Sequence, residues 1–153
     1  MTPSPAALLN ALRSAWGWTG VEFAEVIAHS LMGHMLVTDR HGAFHYLDPD
    51  VGAVIALGDE AAARAHMALE ETQVVWQADA LVSAAAARLG PPAMGEVYSL
   101  RPQALIAGDY SPDMLIRIDL VDLIYLSGDI ARQIRDLPDG APVRLRSSTE
   151  GID

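Results

Sequence analysis

From Asp119 to Leu137, the residues Leu120, Leu123, Ser127, Ile130, Ile134 and Leu137 recur at spacings of three and four. At 3.6 residues per turn those positions stack on one side of a helix, so the stretch predicts an amphipathic helix with one buried stripe. Asp119 stands where an N-cap belongs, its carboxylate placed to accept from the free amides of the first turn. Met114 to Ile118, just before it, reads as a short buried strand. After it, Pro138-Asp139-Gly140 stops the helix and turns the chain into a second strand at Val143 to Arg146. Strand, helix, turn and strand are each specified locally and agree with one another, as a folding unit requires. The helix is expected to be the central buried element.

The rest of the chain supplies layers for that unit. Pro5 opens a helix to about Trp16, with Leu8, Leu9, Leu12 and Trp16 on one face. Phe23 to Ser30 alternates weakly, but Val26 and Ile27 favour a strand. Gly33 to Asp39 and Ala43 to Leu47 flank Asp39-Arg40-His41-Gly42, a hairpin signal. Its register is open between a four-residue loop and a type I turn with a glycine bulge, and one residue of slip exchanges the faces. Val51 to Leu57 reads as an extended piece or one helical turn. Two helices follow: one capped near Asp59 and running to about Glu71, the other from about Val74 to Leu89. The second carries Val74, Leu81, Val82, Ala85 and Leu89 inward and ends at Gly90-Pro91-Pro92. Glu96 to Leu100 is a strand. Trp16, Trp18 and Trp76 suit a core or its rim. Gly128 in mid-helix costs roughly 1 kcal/mol of propensity, which predicts close backbone packing at Ser127-Gly128, expected from a strand.

The expected architecture is therefore α+β, a single domain of 153 residues. A small, mainly antiparallel sheet, formed by the N-terminal hairpin and C-terminal strands, packs with about four helices. Residues 1–16 form a helix docked on the main body at 17–146, and 147–153 form a tail.

Charge narrows the partners. The chain carries a net charge of −10, with its ten basic residues all arginine. That balance repels phosphate and argues against nucleic acid as a ligand, whereas it suits a basic protein. There is no cysteine and hence neither disulfide nor thiol nucleophile. No stretch approaches the roughly 20 apolar residues of a membrane span, and the expected location is the cytoplasm.

The sequence holds no GxSxG elbow, P-loop or GxGxxG loop. Among the histidines, His29, His34, His41 and His45 tempt a metal reading. His34 and His45 approach in only one hairpin register, however, and no third ligand is evident. Isolated histidines are expected, with neither metal nor cofactor, and the chain is not expected to be an enzyme. Acids are more suggestive. Asp122, Asp129 and Asp136 lie seven apart along the long helix and line one outer stripe. With Asp39, Asp48 and Asp50 on the turns and Asp109 and Asp113 in the loop before the last helix, they make an expected recognition surface. Tyr110 is the candidate aromatic hot spot.

Taken together, GHMLVTDRHGAFHYLDPD, LVSAAAARLGPPAMGEVYSL and LSGDIARQIRDLPDGAPVRL resemble a bacterial family, the C-terminal domain family of type VI secretion immunity proteins. Its named member protects against a DNase toxin, and many relatives are known only as a domain of unknown function. The resemblance covers roughly residues 17–146, with Gly95-Glu96-Val97-Tyr98, Gly108-Asp109-Tyr110 and Ser127-Gly128-Asp129 its most specific pieces. The chain departs from the family at Phe44-His45-Tyr46, at Asp48-Pro49-Asp50 and at Val75 before Trp76. What the resemblance implies is a non-enzymatic protein that binds and neutralises a basic toxin, a nuclease being the candidate. The alternative is a cytoplasmic adaptor or regulatory protein on the same scaffold.

Overall fold

A computed structural model describes residues 4–101 and 111–135. The first helix, α1 (Pro5–Trp16), starts where Ser4 accepts from the Ala7 amide and proline occupies the first turn. Its inner face buries Leu8, Ala11, Leu12 and Trp16. Four strands then run as an antiparallel meander: β1 (Phe23–His29), β2 (Met35–Asp39), β3 (Phe44–Asp48) and β4 (Ala53–Gly58). Two register irregularities in β1, at Phe23/Glu25 and Val26/Ala28, account for its weak alternation in sequence.

The β2–β3 hairpin register is now fixed. Gly42 donates to the Asp39 carbonyl at φ +82°, and Asp39 donates to the Ala43 carbonyl, as in a turn followed by a glycine bulge. Val37 pairs with His45 and Met35 with Leu47. Side chains alternate across a strand, so Met35, Val37 and Leu47 share one face while Leu36 and Tyr46 take the other.

The long helix, α5 (Leu120–Ile134), opens with Asp119 accepting from the amides of Val121 and Asp122. It buries Leu120, Leu123, Ser127 and Ile130 as expected, and Ile124, Gly128 and Ala131 besides. Ile134 is half-buried. Leu137, the Pro138-Asp139-Gly140 stop and the strand at 143–146 lie outside the described residues. Helices α1 and α5 cover one sheet face, enclosing Trp16, Phe23, Met35, Val37, Leu47, Leu120 and Leu123 in a continuous core. The partner of Gly128 is not a strand. A β-carbon there would meet the Ala15 backbone of α1, so the glycine serves a helix–helix crossing.

The region 59–89 departs from expectation. Asp59 does cap a helix, accepting from the Ala62 amide, but that helix, α2 (Glu60–Ala68), ends at Leu69 with ψ 140°. A second break falls at Ala78, in the left-handed region at φ 44° and ψ 48°. Three helices result, with α3 (Glu70–Gln77) and α4 (Asp79–Leu89) following α2. Val74, expected inward, is 65% exposed, because α3 is separate from α4 and turned differently.

Two strands, β5 (Glu96–Leu100) and β6 (Leu115–Asp119), pair with each other and not with the meander. The expected single sheet is therefore two. Their link to the larger sheet runs through its turn, where the Tyr98 amide donates to the Leu31 carbonyl. Helix α4 packs on this ribbon, with Met32, Ala85, Tyr98, Leu100 and Leu115 buried in a second cluster. The molecule is a single α+β domain.

Candidate functional site

The turn from β1 to β2 is built tightly. Ser30 Oγ accepts from the amides of Met32 and His34, and the Ser30 amide donates to the His34 carbonyl. Gly33 holds φ +81°, and a β-carbon on it would run into Leu123 Cδ2 in the core. His34 therefore leaves the turn with its backbone fixed on both sides. The register that pairs Met35 with Leu47 then puts His34 across from Asp48.

Asp48 ends β3 and folds the next turn over itself. Its Oδ1 accepts from the Asp50 amide at 2.9 Å and the Val51 amide at 3.3 Å. That turn brings the Asp50 carboxylate to His34. His34 Nε2 lies 2.9 Å from Asp50 Oδ2 and 3.5 Å from Asp48 Oδ1, and Nδ1 is hydrogen-bonded to the Tyr46 hydroxyl at 2.8 Å. His34 is only 2% exposed. The ring of Tyr46 is itself held edge-on by His34, His66 and Trp76, so β3, α2 and α3 meet at one phenol.

Burial dominates the electrostatics. It raises the Asp48 carboxyl pKa above its usual value, and the like charge of Asp50 adds to the rise while His34 opposes it. Burial likewise pushes the Tyr46 phenol up, with Asp48 and Asp50 adding to it. Tyr46 keeps its proton, and its hydroxyl contacts His34 Nδ1 while the Asp50 carboxylate contacts His34 Nε2.

These groups form one wall of an open cleft of about 740 Å³. Met32, His34, Asp48, Asp50 and Val51 line it on the strand side, facing residues of α3 and α4 that include Glu70, Val74 and Asp79. Val51, Val74 and Val75 are exposed on its walls. Ala78, at the strained joint of α3 and α4, lines it as well.

Of the residues expected to bind, Asp48 and Asp50 come together in this cleft. Asp39 lies at the other end of the same two strands, where its carboxylate accepts from the amides of His41 and Ala43 and from His45. His45 points to the opposite face from His34. Asp113 and Asp122 are exposed, and Asp129 accepts from Arg132 and Gln133. Asp109, Tyr110 and Asp136 lie outside the described residues. His34 and His45 do not meet, and the Asp48-Pro49-Asp50 turn instead brings two carboxylates to His34, the three groups offering ligand atoms within 4.8 Å of one another. The signal for this grouping was symmetry, since His34 and Asp48 each lie seven residues from His41 at the hairpin tip. Glu70, Gln73 and Asp79 had no comparable signal, because only tertiary packing brings α3 to the strands.

Among the described residues no helix is long and apolar enough to cross a membrane. No family model and no curated protein matches the chain.

Proposed function

We propose that this protein is an immunity-type binder that neutralises a basic toxin, a nuclease being the candidate, by receiving part of it in the cleft between the 48–51 turn and α3–α4. The observation that carries the reading is the pairing of apolar walls with acids in an open cleft. Val51, Val74 and Val75 offer exposed apolar surface, and Glu70 and Asp79 stand exposed beside it. An arginine or lysine has the matching form, an aliphatic stem that packs on apolar surface and a cationic head that stays with the acids. The net charge of −10 favours encounter with a basic protein over its whole surface. Asp113 and Asp122 add exposed negative charge elsewhere. The sequence resemblance to type VI immunity proteins supports the same reading.

The test is capture with the intact protein, identification of the bound product, and binding kinetics with that purified product. Charge reversal of Glu70 and Asp79 together is expected to slow association at low salt, an effect that fades as the Debye length falls to about 8 Å. Val74→Asp is expected to speed dissociation. A partner whose rates ignore both variants, with folding intact, places the interface elsewhere and overturns the reading.

A further inference from the structure

We propose that His34, Asp48 and Asp50 form a binding site for one divalent first-row transition-metal ion on the strand-side wall of the cleft. This goes beyond the binding reading and does not depend on it. Geometry argues first. Donors about 2.0–2.2 Å from a shared ion, at tetrahedral or octahedral angles, stand roughly 3–3.5 Å apart. His34 Nε2 is 2.9 Å from Asp50 Oδ2 and 3.5 Å from Asp48 Oδ1, and the ligand atoms of all three lie within 4.8 Å of one another, so closure by the carboxylates brings them onto one ion. One imidazole nitrogen and two carboxylate oxygens suit Zn2+ and its neighbours better than Ca2+, which prefers an all-oxygen shell.

Support from behind the ligands argues second. Metal-bound imidazoles are usually held through their other nitrogen, and His34 Nδ1 already faces the buried Tyr46 hydroxyl at 2.8 Å. An ion at Nε2 would require the tautomer with the ring proton on Nδ1, which would donate to the Tyr46 oxygen. Asp48 is oriented by the amides of Asp50 and Val51, and the His34 amide by Ser30 Oγ. His34 and Asp48 are thus held by contacts that do not involve the ion, and the turn that Asp48 folds brings Asp50 to them. Charge argues third: two partly buried carboxylates share a single imidazole, and a divalent cation between them removes their repulsion. Three protein ligands leave further coordination positions for water.

The test titrates the chelator-treated full chain with Zn2+ and, separately, with Co2+. One ion per chain, a visible Co2+ absorption band bleached by Zn2+, and a higher melting temperature are expected. Asp50→Asn and Asp48→Asn preserve shape, and the second keeps an oxygen for the two backbone amides. Each is expected to weaken Zn2+ binding by about tenfold or more, with the near-UV circular dichroism unchanged. His41→Ala, on the exposed hairpin tip, is expected to leave binding unaltered. Absence of saturable Zn2+ and Co2+ binding in the wild-type chain overturns the proposal. So does wild-type Zn2+ affinity in both Asn variants, which assigns the ion to an adventitious surface histidine. Because the readout uses the isolated chain, failure here leaves the toxin-binding reading standing, and the converse also holds.

Discussion

Gly128 of α5 lies so close to Ala15 of α1 that a β-carbon on it would sit 2.5 Å from the Ala15 carbonyl oxygen and 2.7 Å from the Ala15 β-carbon. One of those atoms is helix backbone, so the clash is relieved only by moving α1. Two effects compete on substitution. Alanine improves helix propensity by about 1 kcal/mol, whereas overpacking a filled interface costs about 1–3 kcal/mol. The second should win. Gly128→Ala is expected to lower unfolding stability in urea by up to about 2 kcal/mol, the difference of those ranges. Gly128→Leu should lose more. An alanine variant more stable than wild type would mean that the two helices do not touch there.

Asp39 predicts a pH dependence. Its carboxyl accepts hydrogen bonds from His45 and from the amides of His41 and Ala43, which hold its pKa near 2 against an ordinary 3.8. Desolvation opposes them and loses. The folded-state pKa is lowered, so the stabilisation is complete above about 3.8 and is lost as pH falls through about 2. Asp39→Asn removes that ionisation. The stability gap between wild type and variant should be widest near neutral pH and should narrow as pH drops through that window. Urea midpoints across the acid range measure it. A gap that stays constant down to the acid limit would show that the carboxylate is not specifically held.

What was legible in the sequence was the local chemistry. Asp59 and Asp119 cap their helices because a carboxylate beside free amides needs nothing distant. The long helix and its buried stripe followed from spacing alone. A break was expected at about residues 72–73 and falls at Leu69, whereas the break at Ala78 was hidden because alanine is a strong helix former. Gly128 announced a close approach but not its partner, since a small residue states only that something is near. The candidate site was half legible. Asp48 and Asp50 stood out as turn acids, whereas His34 joins them only through the register that Gly42 sets and the backbone that Gly33 fixes.

Ala78 offers the closing test, because its conformation shapes the cleft directly. At φ 44° and ψ 48° it ends α3, its amide donating to the Val74 carbonyl, and begins α4, its carbonyl accepting from the Val82 amide. The bend lets α3 place Trp76 against Tyr46 while α4 packs on the β5–β6 ribbon. A left-handed conformation costs a non-glycine residue roughly 1–2 kcal/mol, and glycine would give back about 0.5–1 kcal/mol of that as lost chain entropy. Ala78→Gly is therefore expected to raise stability by up to about 1 kcal/mol. Ala78→Val should lower it by more than that, since a β-branched side chain tolerates positive φ least. The valine variant should also disturb the cleft, read as altered near-UV circular dichroism from Trp76 and Tyr46. A glycine variant clearly weaker than wild type, beside a valine variant that melts unchanged, would show the joint to be an ordinary helical turn and would remove this wall of the cleft.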